Sequence, residues 1–337
     1  MKAVLVIFLL AMFHCLHAQT TDVKSLQETA RTFSKQGDYA NAAIVLSRAL
    51  QQDQGNLQII KDLAFAQYMQ KDLNNAFQTV KSIIDRKDAD VEVYQIAGMI
   101  YKEKGDFSET EKLYKKGLRK FPASGVLYNE YGELLWYRQD YNAIRQWEKG
   151  IEVDPNFSSN YYNAAKYYYF TVDKTWSLIY GEIFVNLESL SRRTIEIKSL
   201  LINSYKKIFS DGEIMKNQNA KNEFSTAFLN TINKQTSILS LGITPESLTM
   251  IRTRFLLDWD DRYAQQFPFR LFEYHRQLLR EGLFDAYNQW LFGPVQNLTS
   301  FQNWTNTHAE IYKEFTNFQR GRVFKLPTGQ NYQSKNL

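Results

Sequence analysis

Five segments of this chain line up on a single small residue. Ala30, Ala64, Gly98 and Gly132 follow one another at intervals of 34, and Ala165 comes 33 further on. The same chemistry returns around each anchor. Phe33, Gln67, Tyr101, Leu135 and Tyr168 stand three residues later. A turn ending in Asp follows the first four, at Gly37-Asp38, Lys71-Asp72, Gly105-Asp106 and Gln139-Asp140, with Tyr39, Leu73, Phe107 and Tyr141 next. A second small position recurs at Ala42, Ala76, Thr110 and Ala143, and Pro122 and Pro155 close the third and fourth units. Self-similarity at such a period marks stacked supersecondary units, none of which can bury its apolar face alone. Small residues let two helix axes approach. Gly adopts the positive φ that ends a helix, Asp accepts from the free N–H groups that open the next, and Pro cannot continue a helix interior. The pattern predicts helical hairpins. Only 15 Gly and 6 Pro in 337 residues agree, being too few for a fold of many tight β-turns.

The spacing resembles the tetratricopeptide repeat, a helix-turn-helix unit of 34 residues. Asp140 to Pro155 is nearest to the family pattern, one residue short in the turn after Tyr141, which moves its small position to Ala143. The chain departs from the pattern at the second turn, which has no Gly, and at Gln54 and Asp88, which stand where Pro would close units one and two. The fifth unit loses the pattern after Asp173, at Trp176, Ser177 and Ile179. The resemblance implies an all-α fold, a hairpin solenoid followed by a C-terminal helical region. The expected organisation is a signal peptide over 1–18, an array of about five hairpins over 19–187, a helical capping or interaction domain over 188–320, and an extended or disordered tail over 321–337.

In this family the first helix of each hairpin presents residues to a concave groove that holds the partner. Carried over by register, that groove comprises Phe65, Tyr68, Met69, Met99, Asn129, Trp136, Tyr137, Tyr162, Lys166 and Tyr169. The implied partner is a protein or extended peptide. The family's mode of gripping a C-terminal carboxylate with Lys, Asn and Arg is not implied, because Gln27, Arg31, Asp62, Glu92 and Ile96 stand at those sites. Aromatic side chains bury large areas at small entropy cost. The same rings stack on sugars, so a glycan or small ligand is the second reading. For Phe65, Met69 and Tyr169 taken singly, filling the space between neighbouring helices competes with binding.

Past Leu187 the period is lost but helical spacing is not. Ile197, Leu200, Leu201, Tyr205 and Ile208 form one stripe, and Phe224, Ala227, Phe228, Thr231, Ile232 and Leu239 another. Thr244-Pro245-Glu246-Ser247 reads as a helix start. Phe269 to Pro294 reads as a hairpin whose helices stop near Gly282 and near Gly293-Pro294. Phe301, Trp304, His308, Ile311, Tyr312 and Phe315 make a last stripe. This half is expected to cap the array, or to carry a surface of its own.

The N-terminus predicts export. Lys2 precedes the apolar run Ala3 to Phe13, and Leu16 and Ala18 fit cleavage after Ala18, leaving a periplasmic or secreted chain. The run is too short to span a bilayer, and no later segment is long and apolar enough, so no transmembrane span is expected after cleavage. Cleavage removes Cys15, the one cysteine, and with it any disulfide, thiolate metal site or cysteine nucleophile. The net charge of +5 is spread among acids instead of gathered in a run, which argues against nucleic acid. No catalytic, metal-binding or cofactor-binding motif is found, so no enzyme activity, metal or cofactor is expected. After cleavage only His275 and His308 remain, and His308 is expected half-buried on its stripe. Asp258, Asp260 and Asp261 flank Trp259, but at the end of a helix and before Arg262, where solvation or pairing with Arg is the simpler reading.

Overall fold

The computed structural model describes residues 22–210 and 222–333; the segment 1–18, expected to be a signal peptide, and the last four residues of the tail lie outside them. Among the described residues the chain is all-α, with seventeen α-helices, one short 3-10 turn and no strand. None of these helices is long and apolar enough to cross a membrane.

The repeat landmarks do what the sequence asks of them. The helices pair as α1 (Val23–Lys35) with α2 (Tyr39–Gln52), α3 (Leu57–Met69) with α4 (Leu73–Lys81), and α5 (Val91–Glu103) with α6 (Phe107–Lys120). Each first helix ends when the Asp of the turn donates its N–H five residues back. The bonds run Asp38 to the Phe33 carbonyl (2.9 Å), Asp72 to Gln67 (2.9 Å) and Asp106 to Tyr101 (3.0 Å). The residue before the Asp must take positive φ. Gly37 and Gly105 do so freely (φ 79° and 77°), whereas Lys71 reaches 68° against its Cβ. The same Asp side chains then cap the second helices, accepting from Asn41, Asn75 and Glu109 N–H at 3.1, 3.3 and 3.3 Å. Ala30, Ala42, Leu46, Ala49, Ile59 and Leu63 form the core between the first three helices.

These hairpins make one compact unit, ending at Phe121; a second begins at Pro122. The second unit opens with two more hairpins, α7 (Gly125–Tyr137) with α8 (Ala143–Val153) and α9 (Ser158–Phe170) with α10 (Lys174–Leu187). Gly132 is required by close approach, since a Cβ there would lie 2.6 Å from Cδ1 of Trp147. α10 is unlike any other second helix: every residue from Thr175 to Asn186 is buried. α9, α11 (Arg192–Ser210) and α12 (Glu223–Asn233) pack around it. Then follow α13 (Pro245–Arg262), α14 (Arg270–Arg280), α15 (Phe284–Gln296), α16 (Leu298–Thr307) and α17 (Ala309–Gly321). α13 starts with a capping box between Thr244 and Ser247. α15 packs on α11, α13, α14, α16 and α17.

Three expectations are corrected. α15 does not stop at Gly293-Pro294 but runs to Gln296. Pro294 has no N–H for the carbonyl of Trp290, and Lys198 Nζ donates to that carbonyl instead, at 2.7 Å. The stripe ending at Leu239 is cut after Asn233, and Ile238 on the 3-10 turn is buried in its place. The last stripe is two helices. His308 stacks on Trp304 (4.5 Å, 9°), its Nδ1 lies 3.0 Å from the Trp304 carbonyl, and it is exposed, not half-buried.

Beyond Arg322 the chain runs as an extended arm fixed to its own unit. Asn156 holds both backbone groups of Leu326, accepting from its N–H at 2.9 Å and donating to its carbonyl at 3.2 Å. Asn222 donates to the Tyr332 carbonyl at 3.0 Å, and the Tyr332 ring stacks on Phe224 at 4.7 Å. Phe224 also meets Trp176, Trp259, Phe267, Phe269 and Phe272, an aromatic centre that the arm closes.

Candidate functional site

The ten groove positions fall in both units and are described unit by unit. In the first, Phe65 is turned onto Tyr39 of α2, ring edge to ring face at 6.2 Å, and takes part in packing. Tyr68 and Met99 are half-buried, and Met69 is exposed. The charge on this side is already matched. Lys61 is buried and donates to Asp90 (2.6 Å) and Glu92 (2.5 Å). Burial works against its charge, but the two carboxylates outweigh it and hold the ammonium above its ordinary pKa.

In the second unit α7, α9 and α11 pack in turn, and their side chains form a charged and amide row. Asn129 is buried and donates to Glu133 at 3.0 Å; Asn163 donates to Asn129 Oδ1 at 2.9 Å and to Glu133 at 3.2 Å. Tyr162 donates to Glu196 at 2.5 Å, while Lys166 reaches Glu196 at 2.8 Å and the Tyr162 hydroxyl at 3.1 Å. Lys166 and Arg193 lie 4.7 and 4.9 Å from the Tyr162 ring centroid. Burial pushes the Glu196 carboxyl up, but the bonds from Lys166 and Tyr162 prevail and hold it below the usual carboxylate range. Lys207 sits 3.8 Å from the Tyr169 centroid.

The open aromatic surface of this unit is at the hairpin turns. Trp136, Tyr137, Tyr141 and Phe170 are 40%, 71%, 66% and 74% exposed. Trp136 touches Tyr141, Trp147 and Tyr167 at 5.8–6.0 Å, so one edge carries rings from both hairpins. Tyr141, Tyr167 and Phe170 are additions to the expected set. Tyr141 had a signal in the sequence. The turn is one residue short, α8 begins at Ala143 instead of at the residue after Asp140, and Tyr141 is left outside the helix where Tyr39, Leu73 and Phe107 are half-buried within theirs.

A second cluster lies in the interior. Glu182 of α10 accepts from His275 Nε2 (2.8 Å) and the Tyr287 hydroxyl (2.7 Å), and pairs with the Arg252 guanidinium. Arg252 also bonds Asn288, and Asn186 donates to Tyr287 at 2.8 Å. Burial pushes Glu182 up, yet Arg252 and His275 hold it at about 2. Burial pulls the His275 pKa below the ordinary imidazole value, against the opposing pull of Glu182. The adjoining cavity of about 20 Å³ accommodates about one water. The cluster ties α10 to α13, α14 and α15, and the geometry gives it that role. Asp258 accepts from Gln235 at 2.9 Å, and Asp260 pairs with Arg276. Among the described residues no group of three or more His, Cys, Asp and Glu is arranged to hold a metal ion.

The tetratricopeptide repeat sequence model matches residues 34–100. A thermophilic tetratricopeptide repeat protein of Thermus thermophilus is similar in structure, with 14% identity and a TM-score of 0.45, over 54% of this chain and 100% of that one. A tetratricopeptide repeat protein from Parabacteroides merdae has 15% identity and a TM-score of 0.43, over 71% of this chain and 91% of its own. No curated protein matches.

Proposed function

We propose that this chain is a tetratricopeptide repeat protein and acts as a non-enzymatic interaction scaffold of the bacterial cell envelope that holds a protein or an extended peptide. The observation that carries the reading is the exposed ring edge of Trp136, Tyr137, Tyr141 and Phe170 beside the charged row of α7, α9 and α11. Solvent-facing Trp and Tyr on rigid helices are the side chains that most often anchor an interface. The row next to them offers amides and charges to a peptide backbone and its side chains. Lys166 and Tyr169 border this edge, and Tyr68, Met69 and Met99 supply the corresponding surface of the first unit. The leader expected over 1–18 supports the envelope location.

The test is cross-linking from a photoreactive residue at position 137 in cells, followed by binding measurements with the captured partner. Trp136→Ala and Phe170→Ala are each expected to weaken that partner about thirtyfold, the scale of an interface anchor. Leu257→Ala, an exposed apolar side chain on α13, is the control and should change nothing. Equal affinity for all three variants refutes the face. Retention on polysaccharide resin without a captured protein replaces the peptide by a glycan. A mature N-terminus at Gln19 tests export.

A further inference from the structure

Arg322 follows α17, and its guanidinium carbon lies over the ring of Tyr274 on α14, 3.5 Å from the centroid. Nη2 donates to Asn186 at 3.2 Å. Nε and Nη1 are buried and have no protein acceptor, and the same holds for the Tyr274 hydroxyl and for Nε2 of Gln319, one turn earlier on α17. A second guanidinium is close by: Arg270 and Arg322 lie 5.9 and 5.1 Å from the Phe324 ring. The ion pair that Arg270 makes with Glu273 is long, 3.9 Å. Among the described residues no carboxylate bonds Arg322. Burial, and then the Arg270 charge, lower its pKa.

Buried donors without acceptors are costly, and a buried cation without a counter-charge more so. Here a guanidinium lies against a ring whose hydroxyl has no acceptor, a second cation is close by, and the unpartnered Gln319 amide stands one turn back on the same helix. A backbone carbonyl would satisfy hydrogen bonds and leave both positive charges. The complement of this set is an acceptor that carries negative charge on several oxygens. We infer that the end of α17 against α14 binds one small oxyanion, a carboxylate or a phosphate, held by Arg322 and Arg270 with the Tyr274 hydroxyl and the Gln319 amide. The site lies apart from the exposed ring edge and does not depend on it.

The full chain, purified in chloride, is unfolded thermally at constant ionic strength while inorganic phosphate, or separately acetate, is titrated in. A saturable rise in Tm with one of them is expected, and which one responds distinguishes phosphate from carboxylate. Arg322→Gln should abolish the rise. Tyr274→Phe keeps the ring under the guanidinium and should weaken the apparent affinity roughly tenfold, the loss of one charge-assisted hydrogen bond. It decides the matter if Arg322→Gln does not fold. No rise in the wild type means that water satisfies these donors, and the inference falls. An equal rise in wild type and Tyr274→Phe, with Arg322→Gln unchanged or unfolded, also overturns it.

Discussion

Glu148 on α8 is 2% exposed, and its carboxylate accepts the Tyr168 hydroxyl at 2.6 Å. Burial, helped by the charge of Asp173 and opposed by the Tyr168 bond, pushes its pKa from 4.5 up to about 7. A carboxyl raised on folding stabilises the native state fully below its unfolded value, and that contribution is lost as pH rises through the folded one. Asp173, raised to about 6 by burial, acts with the same sign. Glu148→Gln keeps an acceptor for Tyr168 and cannot ionise. Relative to wild type it is expected to gain roughly 2–3 kcal/mol between pH 5 and pH 8, read by urea unfolding at the two pH values. An unchanged difference would mean that Glu148 is ionised in both states. At this scale the anchors Ala30, Ala64, Gly98, Gly132 and Ala165 were legible, because close helix approach admits only small residues and the period repeats the demand. The acid network was not. Glu182, Arg252, His275 and Tyr287 come from four helices, and nothing local in the chain marks their meeting.

Among the elements, the turns were legible down to the hydrogen bond, since the Asp that ends one helix and caps the next is a local device. The exposed ring edge was half legible: Trp136 and Tyr137 come from register, whereas Tyr141 comes from a missing residue whose effect is geometric. The arm was not legible beyond being extended. Pro327, Gly329 and polar neighbours look loose until Asn156 and Asn222 are seen to hold their backbone. Asn156→Ala removes both bonds to Leu326 and is expected to cost about 1–3 kcal/mol. Amide hydrogen exchange should then show protection falling over 323–333 while α7 and α8 keep theirs. Uniform loss across the second unit would show that the arm does not open separately.

For the molecule as a whole, the repeat spacing is kept as far as the anchor Ala165, yet the compact units part between Phe121 and Pro122. Hairpin four keeps the Asp turn of the first three, with Asp140 N–H on the Leu135 carbonyl at 2.9 Å, hairpin five does not, and both belong to the second unit. The period records how a hairpin is made, and the pattern inside α10 records what covers it. Twelve successive buried positions, Thr175 to Asn186, leave no polar face to water. Glu182→Gln strips that buried run of its one charge and strands Arg252. The expected loss is about 3–5 kcal/mol, confined to the second unit, with exchange in α1 to α6 unaltered. Replacing Glu182 and Arg252 together by Met should cost less than Glu182→Gln alone. A double variant as unstable as the single one would mean that shape, not charge, is what the network supplies.

Tyr332 and Gln333 close the aromatic centre around Phe224 and reach Tyr168, contacts spanning more than a hundred positions of sequence. During synthesis the rings that Tyr332 covers are made long before it emerges. For that interval the nascent chain presents a sticky patch, so chaperone capture of this polypeptide should concentrate on the half-built second unit and end once the arm has left the ribosome.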